Sequence, residues 1–330
     1  MSDLVRIGVL GATGYAGQEI IRLAARHPHV EVAVAMTSSS TEETRTLPAL
    51  TGIWDGELAP FSVDRLASET DAVFLALPEA ASGHVAPGLL EQQLRVFDLS
   101  GTFRLRNIET RRRWYPKAPL LPNEAVYGLP ERRRNALQNA MFVACPGCYP
   151  TAALLALEPL VFANLLEDHI FIDAKSGISG AGRKPSLRTQ FSECDGNVSA
   201  YGIFQHRHGP EIEQELGRSA TFVPHLIPLD RGILETIYTT VTPGTSAAVI
   251  EQTFQQAYEN APFVRLRADK MPEIRHVTHT NFCDIGWKFD EKTGRLLIVS
   301  CLDNLIKGAA GQALQSLNVA LGLDERDGLV

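Results

Sequence analysis

Residues 5–36 constrain the fold of this chain more than any other stretch. Val5-Arg6-Ile7-Gly8-Val9-Leu10 reads as a buried strand, and Gly11-Ala12-Thr13-Gly14-Tyr15-Ala16-Gly17 as a turn. Gln18 to Arg26 has helical composition and stops at His27-Pro28, and Val30 to Met36 is a second, nearly all-apolar strand. Glycine recurs at every third position, at 8, 11, 14 and 17. Glycines let a backbone turn sharply and approach a pyrophosphate, whose charge a helix N-terminus attracts. A lone Gly-x-x-Gly-x-x-Gly carries little weight. Between a strand and a helix that leads to a second strand, it reads as a dinucleotide-binding turn. A Gly-rich tight turn without ligand is the plain alternative.

The same strand type returns at Asp71–Leu77, stopped by Pro78, at Arg95–Leu99 and at Met141–Ala144. Strands that are apolar throughout, separated by helical stretches, mean a parallel sheet covered on both faces. NAD-preferring sites place an acidic residue at the end of the second strand. Here that strand runs into Met36-Thr37-Ser38-Ser39-Ser40. No carboxylate there repels a 2′-phosphate, and the hydroxyls, Ser38 and Ser39 foremost, can bind one. NADP is therefore favoured over NAD. Arg45, in the polar 37–46 loop, reads as exposed.

The texture changes after Thr151. Ile170–Ala174, Ser219–Val223, Ile233–Thr242 and Leu296–Leu302 read as strands of a mainly antiparallel sheet with one face at solvent or an interface. Ala247–Tyr258 reads as a helix between them. Asp303 is a good N-cap for a last helix reaching Leu321, whose apolar face is expected to return to the first domain. With 330 residues, two domains are natural. The expected boundaries are 1–148 with 303–330, and 149–302. The fold class is thus a doubly wound parallel-sheet α/β domain plus an α+β domain.

A net charge of −7 argues against nucleic acid or an anionic membrane as partner. Arg111–Arg113 and Arg132–Arg134 read as solvated surface. Five cysteines, at 145, 148, 194, 283 and 301, lack a disulfide-framework spacing and fit a reducing cytoplasm. No charged-then-apolar leader follows Met1, and no apolar run reaches the about 18 residues of a membrane span.

Val143-Ala144-Cys145-Pro146-Gly147-Cys148-Tyr149-Pro150-Thr151 carries the chemistry. A strand ends at a Pro-Gly turn, a thiol follows, and a helix opens. Exposed N–H groups and partial positive charge at a helix start favour the thiolate. Cys148 is therefore the candidate nucleophile. A buried inert cysteine is one alternative. A redox dithiol, from the Cys145-x-x-Cys148 spacing, is another. A nucleophilic thiol needs an acid or base within reach. His206-Arg207-His208-Gly209-Pro210-Glu211 is the densest source, with His206 and His208 on one side of an extended backbone. Metal binding competes for such a pair, but no third ligand has convincing spacing, so no metal is expected. His225 reads as structural. Lys175-Ser176-Gly177-Ile178-Ser179-Gly180-Ala181-Gly182-Arg183-Lys184 follows a strand. It suits a cofactor- or phosphate-cradling loop, a flexible connector being the alternative.

Taken together, these motifs resemble the N-acetyl-γ-glutamyl-phosphate reductase family over nearly the whole length. The matching runs are Gly11–Gly17, Pro146–Thr151, Lys175–Gly177 through Gly182-Arg183, His206–His208 with Pro210–Ile212, Pro224–Leu226 with Arg231-Gly232, and Asp303–Leu305 with Lys307–Gly311. The first and last are shared with aspartate-semialdehyde dehydrogenases. The resemblance implies a Rossmann domain, a mainly antiparallel second domain, a homo-oligomer and the cofactor NADP. It places the nucleophile at Cys148 and the acid/base in the His-Arg-His run, His208 being preferred and His206 a substrate or proton partner. It implies a cofactor site at Gly11, Thr13, Gly14, Tyr15, Ala16, Gly17, Ser38, Ser39, Ser176, Gly177, Gly180 and Asn304. The substrate, an acyl phosphate yielding inorganic phosphate, is expected at Arg104, Arg207, Glu211, Ser179 and Arg183. Three sites depart from the family pattern, at four residues: Glu79 for His, Gly101-Thr102 for Ala-Asp, and Cys145 for Asn. The last raises the prospect of an inactivating Cys145–Cys148 disulfide. A sister acyl-phosphate reductase and a non-enzymatic NADP-binding redox sensor are the competing functional readings.

Overall fold

The computed structural model describes residues 4–37, 46–119, 125–268 and 270–330. Ser38, Ser39 and Arg45 lie outside them. The chain divides into two compact units, Met1–Gly147 with Ala309–Val330, and Cys148–Gly308.

The first unit begins β1 (Val5–Leu10), α1 (Tyr15–Ala24), β2 (Val30–Met36), β3 (Leu58–Ala59), α2 (Val63–Glu69) and β4 (Ala72–Leu75). It continues through α3 (Glu79–Glu91), β5 (Arg95–Asp98), α4 (Ile108–Trp114), β6 (Val126–Tyr127), α5 (Pro130–Leu137) and β7 (Phe142–Ala144). Its strands lie in the order β3-β2-β1-β4-β5-β7-β6, and every pairing is parallel. From β1 the chain winds outward one way through β2 and β3, then the other way from β4, so the reversal falls beside β1. Doubly wound sheets bind ligands outside the carboxyl ends of their strands at such a switch point. The strands are apolar because helices cover both faces. Leu10, Val34, Met36, Leu75, Leu89 and Val96 form one buried cluster. Ser62 and Asn107 cap α2 and α4 through their side chains.

The second unit opens with α6 (Cys148–Phe162), then β8 (Phe171–Ser176), α7 (Phe191–Cys194), β9 (Ser199–Ala200) and α8 (His208–Leu216). It goes on through β10 (Thr221–Leu226), β11 (Ile233–Thr240), α9 (Ala247–Tyr258), β12 (Val264–Leu266), β13 (Cys283–Asp290) and β14 (Arg295–Leu302). The sheet order is β12-β13-β14-β11-β8-β10-β9. The β12–β13 and β8–β10 pairs are parallel and the other four antiparallel. Along β11, burial alternates: Ile233, Glu235, Ile237 and Thr239 are buried, while Tyr238 is exposed. Helices α6 and α9 cover the inner face. There Phe254 of α9 packs on Trp287 of β13, ring centroids 4.5 Å apart.

The sequence reading did not contain β13. Its Cys283, Ile285, Trp287 and Phe289 alternate with Asp284, Gly286 and Lys288 as a two-faced strand requires, and Asp284 is fully buried and accepts from Arg265 Nε at 2.5 Å. Asp303 does cap the last helical segment, accepting from the N–H groups of Leu305 and Ile306 at 2.8 and 3.0 Å. The segment starts as a π turn (Ile306–Ala310) and becomes α10 (Gly311–Leu321). Within the first unit α10 is tied down by polar contacts. His27 Nε2 lies 3.0 Å from Asn318 Oδ1, and Gln315 Nε2 donates to Glu131 Oε1 at 2.9 Å.

Candidate active site

In the first unit the Gly-rich turn joins β1 to α1. Gly11 has φ +81°, and a Cβ on it would lie 2.2 Å from the Ala76 carbonyl oxygen. A Cβ on Gly17 would lie 2.4 Å from the Gly11 oxygen. Neither position tolerates a side chain. The turn is braced by Gly11 and Ala12 N–H groups donating to Met36 O at 3.0 and 3.2 Å, and by Gly14 N–H donating to Gly11 O at 3.0 Å. Gln18 Nε2 donates to Thr13 O at 3.1 Å. Gly14 is the N-cap of α1 and carries no side chain to occupy the helix start. Tyr15, Ala16 and Gly17 thus present a first turn whose N–H dipoles point to one end. This cradle, which no Cβ may enter, fits a dinucleotide pyrophosphate.

Asp98, at the end of β5, is fully buried and accepts from Ser82 Oγ (2.6 Å), Ser100 N–H (2.9 Å) and Ser100 Oγ (2.8 Å). Burial nevertheless pushes its carboxyl above the usual range. Arg104, also buried, donates from Nε to Cys145 O at 2.7 Å and from Nη2 to Leu99 O at 2.8 Å. Its guanidinium therefore braces backbone in this unit. The departures from the family pattern meet here. Thr102 Oγ1 donates to the Glu79 carbonyl at 2.7 Å, and a Cβ on Gly101 would lie 2.2 Å from the Tyr115 hydroxyl oxygen. Gly101 is thus matched to Tyr115. Cys145 is fully buried, which pushes its thiol well above the ordinary range and keeps it protonated.

In the second unit Cys148 is the first residue of α6 and is half-buried. It opens a helix of fifteen residues, buried from Tyr149 to Val161. A Cβ on Gly308 would lie 2.7 Å from Cys148 Cβ, so the π turn backs directly on the thiol-bearing carbon. Tyr149 turns inward. Its hydroxyl donates to His225 O at 3.2 Å and lies 3.3 Å from the Tyr201 hydroxyl. Its ring meets those of His206 and His208 at 5.8 and 5.9 Å and Phe222 at 5.2 Å. The starts of α6 and α8 therefore converge, bringing the thiol residue and both histidines into one neighbourhood. Burial pushes the Tyr149 and Tyr201 hydroxyls up, so both stay protonated. His206 is pushed down to about 4, also by burial. His225 Nδ1 lies 3.2 Å from Asp173 Oδ1, and Lys175 Nζ is 2.7 Å from Asp173 Oδ2.

The remaining expected residues divide. Asn304 is buried, its Oδ1 accepting from Gly232 N–H at 2.7 Å and its Nδ2 donating to Ser179 Oγ at 3.0 Å. Ser179 Oγ donates to Asp230 O at 2.6 Å. Ser176 Oγ donates to Gly177 O at 3.0 Å, and a Cβ on Gly177 would lie 2.6 Å from Asp230 O. These residues, with Gly180, form a tight backbone-rich loop at the end of β8. Glu211 is fully buried in α8, whereas Arg207 and Arg183 are exposed. The sequence reading missed Tyr201 and Phe222, which complete the box around His206 at 5.5 Å each. Only the tertiary fold brings them there, so no local pattern marks them. Among the described residues no group of three His, Cys, Asp or Glu could hold a metal.

Two family models match the chain: "Semialdehyde dehydrogenase, NAD binding domain" over residues 6–140 and "Semialdehyde dehydrogenase, dimerisation domain" over 148–304. Solved structures share the fold. Aspartate semialdehyde dehydrogenase II of Vibrio cholerae, complexed with ASA, superposes with a TM-score of 0.71 at 18% identity, covering 97% of this chain and 99% of that one. The Candida albicans aspartate semialdehyde dehydrogenase with NADP gives 0.67 at 17%, over 96% and 98%. Curated relatives are nearer in sequence. N-acetyl-gamma-glutamyl-phosphate reductase of Syntrophobacter fumaroxidans is 43% identical over 99% of this chain and 98% of its own length. That of Brevibacillus brevis is 42% identical over the same shares. The chain belongs to the N-acetyl-γ-glutamyl-phosphate reductase family of semialdehyde dehydrogenases.

Proposed function

We propose that this protein is an NADPH-dependent reductase that converts N-acetyl-γ-glutamyl phosphate to N-acetylglutamate 5-semialdehyde and inorganic phosphate, a step of arginine biosynthesis. The observation that carries the reading is that Tyr149, the residue after Cys148 at the start of α6, packs its ring on both His206 and His208 at the start of α8. Aspartyl or carrier-bound acyl phosphates are the rival substrates. A binding-only sensor would need no such pairing.

The Cys148 thiolate, favoured by the helix start, attacks the γ-acyl carbon. The C–S bond forms, the acyl C–O bond breaks, and phosphate leaves with the electron pair. NADPH, held at the Gly11–Gly17 cradle, would supply the hydride that takes the thioester to the aldehyde. N–H groups at the start of α6 stabilise oxyanion charge on the acyl oxygen. His208 carries the proton exchanged with that oxygen and with the sulfur. Exposed Arg207 and Arg183 suit the substrate's carboxylate and phosphate, since Arg104 is engaged with backbone carbonyls. The Gly11–Gly17 cradle would hold the pyrophosphate, and Ser176, Gly177, Gly180 and Asn304 are the second unit's proposed cofactor contacts. The absence of an acidic residue at Thr37 supports NADP.

The functional form is a homo-oligomer, and the cytoplasm the proposed compartment. Among the described residues no disulfide links the five cysteines, and no helix is long and apolar enough to cross a membrane. The test is phosphate-dependent reduction of NADP with N-acetylglutamate semialdehyde against aspartate semialdehyde. Turnover with the acetylated compound is expected. Turnover with the aspartyl compound alone would move the chain to the sister activity. Cys148→Ser should lose at least ~10³-fold in kcat with NADPH affinity intact. Wild-type activity in that variant would sink the thioester route.

A further inference from the structure

His206 and His208 lie two residues apart, ring centroids 4.7 Å from each other, but they are not equivalent. His206 Nδ1 accepts the backbone N–H of His208 at 3.1 Å. The carbonyl of His206 accepts the N–H of Gly209 at 3.0 Å. One residue thus takes the first two amide protons of α8, while the intervening Arg207 provides no side-chain cap. The ring is held on several sides, by Tyr149, Tyr201 and Phe222 as well as by His208.

This geometry dictates the tautomer. A ring whose Nδ1 accepts a hydrogen bond carries its proton on Nε2. To act as a base, Nε2 would have to be bare, and the proton would then sit on Nδ1, against the His208 N–H. To become imidazolium, the ring would place two N–H groups head to head in an aromatic box. Either state breaks the cap. The titratable groups facing the ring are the Tyr149 and Tyr201 hydroxyls, both held protonated by burial, and His208 itself. None supplies a negative charge to support an imidazolium, which agrees with the low pKa of about 4 at His206.

We propose that His206 is a positioning residue, fixed as the Nε2–H tautomer, that anchors the first turn of α8 and so aims His208 at the Cys148 chemistry. The inference rests on the reductase reading for its kinetic arm and on geometry alone for its spectroscopic arm. In His206→Asn, Oδ1 can replace Nδ1 as acceptor; in His206→Leu nothing can. His206→Asn should lose about ten-fold in kcat and His206→Leu about a hundred-fold. Both should keep the acid limb of the kcat/KM pH profile, which His208→Asn abolishes, with a ~10²–10⁴-fold loss. An acid limb erased by His206→Asn, or equal kcat in the Asn and Leu variants, would overturn the assignment. If wild type fails to turn over acetylated substrate, the reductase reading fails instead. Imidazole ¹⁵N spectra of the whole protein then decide the matter without activity. The resonances missing in His206→Asn should report Nε2–H and no titration from pH 5.5 to 9. A protonated Nδ1, or a midpoint near 6.5, would refute the proposal.

Discussion

Gly308 shows how a residue with no side chain can shape a reactive one. A methyl there would meet Cys148 Cβ at 2.7 Å. Both atoms sit on helical backbone, so neither can swing away as a long side chain could. Gly308→Ala should therefore lower kcat at least ten-fold and cost about 1–3 kcal/mol of stability, read by steady-state kinetics and chemical denaturation. An unchanged kcat would mean that the π turn relaxes freely. At this scale legibility tracked sequence distance. Cys148, its Pro-Gly turn and its helix start are contiguous and could be read directly. The His206–Glu211 run was equally visible as chemistry, but not which histidine does what. That depends on Nδ1 meeting an amide and on Tyr201 and Phe222 closing around the ring. Arg104 is expected from its motif to hold the substrate's carboxylate, and its Nε and Nη2 donate to the Cys145 and Leu99 carbonyls.

Among the elements, β11 carries an anomaly. Its inward row Ile233, Glu235, Ile237 places a carboxyl between aliphatic neighbours, opposite Ala174 of β8 and Ser300 of β14. Glu235 is fully buried and neither oxygen has a hydrogen-bond partner. Burial holds its pKa well above the usual carboxylate value, with Lys175 opposing weakly. A raised folded-state pKa means that the fold binds this proton more tightly than the unfolded chain does. The resulting stability is complete below the unfolded carboxyl pKa and is lost as pH rises through the folded one. Glu235→Leu should thus stabilise the protein by about 1–3 kcal/mol at pH 8 and by much less at pH 4.5, measured as Tm across pH. A gain independent of pH would contradict a titrating Glu235. The first unit's strands were legible from their apolar runs, most fully in β4, whose Ala72, Val73, Phe74 and Leu75 are all buried. β13 alternates Ile285, Trp287 and Phe289 with Asp284, Gly286 and Lys288, a strand signal that the sequence reading passed over.

For the whole molecule, the outer face of the second unit's sheet stands out. Phe171, Tyr238, Leu297 and Lys288 form one row across β8, β11, β14 and β13. Phe171 and Tyr238 are 49% and 45% exposed and border a groove of about 560 Å³ with His169 and Arg295. We propose this row as the contact between copies, in keeping with the dimerisation domain that spans it. Phe171→Asp combined with Tyr238→Asp should weaken association at least ten-fold, seen by light scattering, with far-UV circular dichroism unchanged. An unaltered mass at micromolar concentration would place the contact elsewhere. The arrangement of units along the chain has a separate consequence, for synthesis. The second unit is one unbroken stretch, Cys148–Gly308, whose two ends lie side by side. The first unit is split, and α10 supplies it with buried Gln315 and Asn318 contacts to Glu131 and His27. Domains ordinarily mature from the N-terminus as the chain leaves the ribosome. Here the order inverts. The earlier-translated unit must wait, with its α10-binding surfaces uncovered, until the last residues emerge, while the later one is already complete.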